Sequence, residues 1–392
     1  MAQDTSMKSL DFFARNKLAG LDAAHLRRTL ADTAREDGIW VERGGRRLLS
    51  FSCNDYLNLT HHPAVKEAAI AAIRRFGTGA GASRHITGNY PLYTELEAKL
   101  ARLKETEAAC VFGSGYLANA GVIPALIGES DLLLIDELSH ACLWAGAQLS
   151  RGYVITFRHN DVSHASELLE TNRSIFERAL IVTDGVFSMD GDLAPLPELA
   201  ALAEAHDAWL MSDDAHGLGV IGGGRGSSIV NGTKANVDLQ MGTLSKALGS
   251  YGGYLCASAP VIDLVKTRAR TLIYSTGLPP ASVAGAIAAL DVIASNPALA
   301  ARPLAKAQSF TRATNLPLAQ SPIVSIILGD AVKALTASQI LEDEGFLAVA
   351  IRPPTVPAGT ARLRLAFTAA HEDEDIARLA RLVRERILPM AA

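Results

Sequence analysis

Residues 237–249 read VDLQMGTLSKALG, a short apolar segment that runs into small and hydroxylated residues around a single lysine, Lys246. Its neighbours Leu244, Ala247 and Leu248 place few polar groups near this amine. An amine in such surroundings has a lowered pKa, which is how a lysine becomes a nucleophile that forms Schiff bases. The alternative is a strand end whose lysine points into solvent, and the remaining sequence weighs against it.

Short apolar runs alternate with helical patterns on the N-terminal side of this stretch. The runs that predict strands are Ala108–Phe112, Leu132–Ile135, Tyr153–Phe157, Ala179–Thr183 and Trp209–Met211, and a sixth run leads to Lys246. Apolar strands that alternate with helices indicate an α/β fold with a parallel sheet covered on both faces. Ligands of such sheets bind at the carboxyl ends of the strands, where polar clusters stand in this sequence.

The chain of 392 residues is long enough to predict more than one domain. We predict an N-terminal arm and hairpin over residues 1–50, a large domain over 51–283 and a smaller α+β domain over 284–392. Leucine spacing predicts a helical arm from residue 7 to about residue 35, and Gly44-Gly45 predicts the hairpin turn.

Composition excludes several classes of protein. Hydrophobic residues make up 49%, charged residues 20%, and the net charge is −4, which argues against disorder and against nucleic-acid binding. The four cysteines are far apart and form no CxxC pair, which favours a reducing compartment and no metal site. The first residues carry charges and no apolar signal core, and no window suits a membrane span. We therefore expect a cytoplasmic protein.

Polar side chains follow individual strands. His140 follows the second strand, Ser188 the fourth, and Asp213 and His216 the fifth. Each alone is more often a cap, turn or surface residue. The turn Gly113–Tyr116, between a strand and a helix, is a ready anion site. Together with Lys246 this set of groups matches pyridoxal 5'-phosphate (PLP).

The chemistry of PLP explains these residue types. A carboxylate beside the ring nitrogen keeps it protonated, so that the ring accepts electrons. One histidine bonds the ring hydroxyl and a second stacks on the ring. Thr243 and the N–H groups of Gly115 and Tyr116 are predicted to hold the phosphate.

Longer motifs carry a resemblance to a known family. They are Ser52–Leu57, Gly79–Arg84, Leu138–Ala141, Gly185–Asp192, Asp213–Gly217, Thr243–Lys246 and Ile273–Thr276. Over essentially its whole length the sequence resembles the α-oxoamine synthases, which are fold-type I PLP enzymes with an aspartate-aminotransferase-like fold. Two positions depart from the family pattern: Asp184 stands where glutamate is usual, and Asn58 where glycine is usual.

The stretch Ile351–Arg364 resembles the member of that family that acts in biotin biosynthesis. The resemblance implies decarboxylative condensation of L-alanine with pimeloyl-CoA or a pimeloyl carrier protein, with release of carbon dioxide and a free thiol. It implies that Lys246 forms the Schiff base and acts as general base, with Asp213 and His216 as ring partners. His140 would stack on the ring and contact the substrate.

The resemblance also implies substrate contacts and a partner subunit. Arg364 would pair with the amino-acid carboxylate and Arg28, or else Arg27, with the pimeloyl carboxylate. Thr355 and Asn54 are further substrate-binding candidates, and Ser188, Ser275 and Thr276 are cofactor-binding candidates. The expected assembly is a homodimer with its site between subunits, where Asn54 and Ser275-Thr276 come from the partner.

Two alternatives remain open from sequence. One is a sister α-oxoamine synthase that uses glycine and another acyl-CoA. The other is a non-catalytic subunit with the same fold, which would be expected to lack the lysine or its acid partner, whereas this chain has both Lys246 and Asp213.

Overall fold

A computed structural model of the chain describes residues 8–230 and 232–391. The chain divides into two compact units: a larger one of Cys53–Val324 with Ala366–Ile376, and a smaller one of residues 8–52, Ser325–Leu365 and residues 377–391. The sequence-based domain limits lie elsewhere, at residues 50 and 283. Helix Pro280–Ser295 belongs to the larger unit because its buried face, including Val283 and Ile287, shares a core with Val65.

A seven-stranded sheet forms the centre of the larger unit. Its strands are β1 (Ala108–Phe112), β2 (Asp131–Asp136), β3 (Tyr153–Phe157), β4 (Arg178–Asp184), β5 (Trp209–Asp213), β6 (Leu239–Thr243) and β7 (Gly253–Ala257). They lie in the order β1-β7-β6-β5-β4-β2-β3, and β7 alone among them runs antiparallel to its neighbours. The mostly parallel sheet predicted from the sequence is confirmed.

Helices cover both faces of this sheet, as its apolar strands require. They are Pro63–Phe76, Pro91–Lys104, Gly115–Leu126, Ala141–Ser150, Val162–Asn172, Leu196–Ala205, Ala259–Arg268, Arg270–Ile273, Pro280–Ser295 and Pro297–Thr314. On one face Leu133 and Leu180 pack with Val122, and on the other Leu134 and Ile181 pack with Leu199. The larger unit therefore has a separate apolar core on each side of the sheet.

Strand β7 has no counterpart among the predicted strands. It pairs with β6 and β1 and thereby joins the Lys246 strand to the first strand of the sheet. A Cβ at Gly253 would lie 2.5 Å from the carbonyl oxygen of Ser114, so only glycine lets this strand approach the turn after β1. The sequence analysis missed β7 because Gly253–Ala257 is a short apolar run directly after the lysine motif.

The smaller unit contains a four-stranded sheet. Its strands are Ala34–Asp37, Trp40–Arg43, Arg46–Ser50 and Phe346–Leu347. Gly44 and Gly45, with φ of 58° and 73°, form the turn of the predicted hairpin, in which Arg43 pairs with Arg46. The hairpin prediction is confirmed.

The chain also has a three-stranded sheet, a two-stranded sheet of Ile229–Val230 and Thr233–Lys234, and several further helices. The strands of the three-stranded sheet are Ile323–Gly329, Ala361–Ala366 and Val349–Ile351, in that order. The remaining helices are Ser9–Ala23, Ala331–Asp343, Asp373–Leu382 and Leu388–Ala391, with a π-helical turn at Val383–Ile387. Among the described helices, none by itself has the length and apolarity to cross a bilayer, although Pro280–Ser295 and Pro297–Thr314 together reach that length across an 85° bend.

The predicted helical arm is shorter than its leucine spacing suggested. The helix spans Ser9–Ala23 and ends where His25 adopts a left-handed conformation, with φ of 56°. The N–H of Leu26 donates to the carbonyl of Leu21 and that of His25 to Asp22, which is the Schellman pattern of helix ends. The prediction of a helix to about residue 35 was therefore wrong beyond Ala23, and residue 7 lies outside the described residues.

Candidate active site

The predicted site residues of the larger unit gather at the carboxyl ends of its parallel strands. Asp213 is the last residue of β5, and its register partner on β6 is Met241, two residues before that strand ends at Thr243. Parallel pairing of β5 with β6 therefore brings the turn that carries Asp213 and the turn that carries Lys246 to the same edge of the sheet.

Lys246 begins a chain of polar contacts. Its Nζ lies 2.7 Å from His216 Nε2, and His216 Nδ1 lies 2.6 Å from the hydroxyl of Tyr56. That hydroxyl donates to Asn54 Oδ1 at 3.3 Å. His216 Nδ1–H therefore donates to Tyr56, and Nε2 accepts from Lys246. Tyr56 is fully buried and was not among the predicted site residues, because in sequence it resembles any aromatic core residue.

Asn54 lies beside the Lys246 contacts of its own chain. The sequence analysis expected it to act from a partner subunit. The hydrogen bond with Tyr56 and the contact of Tyr56 with His216 join Asn54 to Lys246 within one chain.

The adjacent residues Asp213 and Asp214 have different partners. Asp213 accepts hydrogen bonds from the Ala215 N–H at 3.0 Å and from Asn119 Nδ2 at 2.8 Å. Asp214 instead forms an ion pair with Lys104 at 2.7 Å, in which both side chains are almost completely buried. Asp213 is therefore the carboxylate available to a ligand, and Asp214 holds the turn to the helix that ends at Lys104.

His140 lies at the end of β2 and begins the helix Ala141–Ser150. Burial and the charge of Lys246 lower its pKa, against the opposing effect of Asp213, so the ring is neutral. Its backbone N–H donates to Asp184 Oδ2 at 2.8 Å. Burial and nearby Asp213 raise the pKa of Asp184 well above its usual value. The aspartate at this position thus anchors His140 instead of facing solvent.

The second departure from the family pattern has a local explanation. Asn58 adopts a left-handed backbone conformation, with φ of 55° and ψ of 34°. Asparagine tolerates this region better than other residues with a Cβ, so it can replace glycine there.

An anion-binding turn lies between β1 and the helix Gly115–Leu126. The Ser114 hydroxyl caps that helix by accepting the N–H of Leu117, which leaves the first N–H groups of the helix, including those of Gly115 and Tyr116, directed outward. A Cβ at Gly115 would lie 3.6 Å from the Cβ of Thr243, so Thr243 adjoins this turn. This turn therefore stays a candidate phosphate site.

Ser188 lies in a loop after β4 that an unpredicted histidine stabilises. His159 contacts Asp136 Oδ1 at 3.1 Å and Asp192 Oδ2 at 2.8 Å, and its ring packs edge-on against Phe187. Although burial opposes it, hydrogen bonds to the two carboxylates raise the pKa of His159 to about 10. The imidazolium therefore connects the end of β2 to the Ser188 loop.

This cluster predicts a pH-dependent stability. The folded pKa of His159, about 10, exceeds its ordinary value of 6.5, so its stabilisation is complete below pH 6.5 and is lost as the pH rises through 10. Urea unfolding measured from pH 6 to 10 should show a decline in unfolding free energy that is reduced in His159→Gln. The control His61→Gln, outside the cluster, should keep the parental decline. Equal slopes in the parent and His159→Gln would contradict the assignment.

Ser275 and Thr276 lie beside the glycine-rich loop of residues 77–89. Thr276 pairs with Ser83 as an antiparallel bridge, and the Gly277 N–H donates to the Ala82 carbonyl. Arg84 anchors that loop through a 2.6 Å ion pair with Glu97. The loop thus supports Ser275-Thr276.

The remaining predicted residues belong to the smaller unit. Arg28 donates to the Thr355 hydroxyl at 2.6 Å, and both line a cavity of about 350 Å³ together with Arg27 and Arg352. Arg27 pairs instead with Asp22 at 2.8 Å. Arg364 is buried in the strand Ala361–Ala366.

Comparison with known proteins identifies the family. Residues 46–383 match the aminotransferase class I and II family. The 8-amino-7-oxononanoate synthase of Methylocella silvestris is 68% identical over 88% of this chain and 98% of the relative, and that of Beijerinckia indica is 63% identical over 96% and 98%. The chain belongs to the 8-amino-7-oxononanoate synthase family. The family, enzyme class and cofactor predicted from the sequence are thereby confirmed.

A solved structure of a PLP enzyme shares the fold of this chain. Serine palmitoyltransferase from S. paucimobilis, solved with bound PLP and myriocin, superposes with a TM-score of 0.90 at 28% identity over 96% of this chain and 98% of that one. The predicted fold class, that of fold-type I PLP enzymes, is confirmed.

The residues present fit PLP. The cofactor requires an amine, an acid for its ring nitrogen and N–H donors for its phosphate. At one edge of the sheet the chain supplies Lys246, Asp213 and the turn at Gly115. A neutral His140 and the His216 ring complete the donor set.

Proposed function

We propose that this chain condenses L-alanine with a pimeloyl thioester to give 8-amino-7-oxononanoate, carbon dioxide and a free thiol, as a C-acyltransferase of biotin biosynthesis. The observation that carries the proposal is the contact of Lys246 with His216 at 2.7 Å, at the sheet edge that also bears Asp213. This contact places the amine, an imidazole and a carboxylate together in a chain that belongs to the synthase family.

Lys246 is the residue that moves the proton. Its Nζ would hold the cofactor through the aldehyde, and the same amine, once free, would accept the proton from the alanine Cα. His216 Nε2 positions Nζ from 2.7 Å, and Tyr56 holds the other ring nitrogen of His216. Burial of Tyr56 keeps this support rigid.

Asp213 sets the charge of the site. When bound, PLP supplies an aldehyde that condenses with amines and a pyridine ring that withdraws electrons from the substrate Cα. The Asp213 carboxylate would keep the ring nitrogen protonated. Hydrogen bonds from Ala215 and Asn119 hold the carboxylate in place. Thr243 and the N–H groups of Gly115 and Tyr116 would bind the phosphate, with Ser188, Ser275 and Thr276 as further cofactor contacts.

Two arginines are assigned to the carboxylates of the substrates. We assign Arg364 to the carboxylate of L-alanine as a two-pronged partner. Arg28 is assigned to the pimeloyl carboxylate, because its guanidinium donates to Thr355 within a cavity, whereas Arg27 is engaged by Asp22.

The assignment of Arg28 makes a prediction. Arg28→Ala should raise KM for pimeloyl-CoA roughly 10- to 100-fold with little change in kcat, because a charge-assisted hydrogen bond is worth about 1.5–3 kcal/mol. Arg27→Ala is the matched control and should change KM less than about threefold, since exposed ion pairs contribute little. Steady-state kinetics with varied pimeloyl-CoA measures both, and a reversed order would assign the role to Arg27.

The amino-acid substrate tests the proposed function directly. Titration of the PLP-loaded protein with L-alanine should change the visible absorbance of the cofactor and saturate, whereas glycine should bind more weakly. A single turnover with L-alanine and pimeloyl-CoA should release one thiol per site. Saturation by glycine but not by L-alanine would instead indicate a sister synthase.

We further propose a cytoplasmic homodimer with its site between subunits. The exposed aromatic and aliphatic side chains of Ile86 and Tyr274 flank the Ser83–Thr276 bridge in sequence and are consistent with a covered surface. Sedimentation of the PLP-loaded protein should give twice the chain mass.

A further inference from the structure

Asn119 and Cys142 lie between Asp213 and His140, and neither was singled out in the sequence. Asn119 Nδ2 is 2.8 Å from Asp213 Oδ2 and 3.1 Å from Cys142 Sγ. Cys142 Sγ is 2.7 Å from His140 Nδ1. Both side chains are buried, with exposures of 0% and 2%, and come from the N-terminal halves of two helices that cover the same face of the sheet.

The directions of these hydrogen bonds follow from the groups themselves. The backbone N–H of Cys142 donates to His140 Nδ1 at 3.2 Å, so Nδ1 is an acceptor and carries no proton in the neutral ring. Burial, with Asp213 nearby, raises the pKa of Cys142 to about 12, so its sulfur keeps a proton to donate. The thiol has one proton and two acceptors within reach, His140 Nδ1 at 2.7 Å and Asp213 Oδ2 at 3.8 Å, and the shorter contact favours donation to Nδ1. Its sulfur accepts from Asn119, whose amide also donates to Asp213.

We propose that Asn119 and Cys142 are positioning residues, whose hydrogen bonds connect Asp213 to His140 and hold His140 as the neutral tautomer with its proton on Nε2. The ring then offers an N–H donor at Nε2 and stays uncharged beside Lys246. This inference rests on the proposed function for its catalytic meaning, because a donor at Nε2 serves a substrate oxygen. The tautomer itself is a property of the protein.

Two charged groups near His140 act on its pKa in opposite directions. Lys246 disfavours an imidazolium, and Asp213 favours one. Asp184 bonds the backbone N–H of His140 and not its ring. A hydrogen bond to Nδ1 favours the neutral ring in addition to these charges, so its removal is expected to raise the pKa of His140.

The test is a titration by nuclear magnetic resonance of the full-length, PLP-loaded protein labelled with ¹⁵N-histidine. His140→Gln identifies the His140 signals. In the parent protein the Nδ1 signal should have the shift of an unprotonated nitrogen and Nε2 that of a protonated one. Cys142→Ala should raise the pKa of His140 by about half to one pH unit, because the neutral ring loses a donor.

Two further variants distinguish the hydrogen bond from Cys142 to His140 from a general effect of core packing. Cys142→Ser retains a donor at this position and should restore the parental titration. Cys256→Ala removes a buried cysteine from strand β7 of the central sheet and should leave the titration of His140 unchanged. An unchanged pKa of His140 in Cys142→Ala would overturn the proposal. A pKa shift of the same size in Cys142→Ser or Cys256→Ala would also overturn it.

The parental spectrum alone is also decisive. A proton on Nδ1 would overturn the inference even where a variant does not fold. The titration needs no substrate, so it tests the inference independently of the proposed function. A protein that shows the expected tautomer of His140 but does not react with L-alanine would contradict the proposed function and would still support the roles of Asn119 and Cys142.

Discussion

Replacing Lys246 by alanine is expected to lower kcat at least about 10,000-fold, because one side chain supplies both the amine that holds the cofactor and the base that removes the Cα proton. The Nζ of Lys246 lies 2.7 Å from His216 Nε2, at the sheet edge that bears Asp213. Thiol release from pimeloyl-CoA measures the loss. The visible absorbance that borohydride removes from the parent protein should also be absent.

A surface lysine provides the control for this variant. Lys99 pairs with Asp291 on two helices outside the site, so Lys99→Ala should keep the parental kcat and absorbance. Thermal unfolding should confirm that both variants fold. Activity of Lys246→Ala above about one percent of the parent would show that another group removes the proton and would refute its role.

Replacing Asp213 by asparagine is expected to reduce kcat at least about 100-fold while the protein stays folded. Ala215 and Asn119 donate to different oxygens of Asp213, so the amide oxygen keeps one of the two hydrogen bonds and the protein loses about 1 kcal/mol of unfolding free energy. The neutral amide cannot keep the ring nitrogen protonated, so electron withdrawal from Cα weakens. Single-turnover thiol release measures the effect.

The neighbouring aspartate gives a matched comparison. Asp214→Asn leaves Lys104 as a buried, unpaired cation and should lower the unfolding free energy by about 3–5 kcal/mol. Its effect on kcat per folded molecule should be much smaller than that of Asp213→Asn. The opposite pattern, with a rate loss in Asp214→Asn alone, would exchange the roles of the two carboxylates.

The fold was largely predictable because its signals are local. Each apolar strand of the parallel sheet is a continuous run, and the observed bounds differ from the predicted ones by one or two residues, as with Ala179–Thr183 against Arg178–Asp184. The N-terminal arm was less predictable. Leu26 and Leu30 continue the helical spacing, but the helix ends at a backbone turn at His25 that periodicity does not record.

The candidate site was predictable only as a set of residue types. Lys246, His140 and Asp213 each follow a strand, and parallel strands present their carboxyl ends at one edge. Tyr56, Asn119 and Cys142 were missed because an aromatic, an amide and a thiol among apolar neighbours look like core residues. Their partners are distant in sequence: Tyr56 meets His216, 160 residues away.

The sequence by itself determined the family, the cofactor and the strand ends that carry the reactive groups, because motifs and hydrophobic runs are properties of neighbouring residues. Only the tertiary structure decided what holds each of the two adjacent carboxylates: Asn119 donates to Asp213, and Lys104 neutralises Asp214. The physical reason is that a carboxylate's role depends on its partners across the sheet, and adjacent residues at a strand end point to opposite sides.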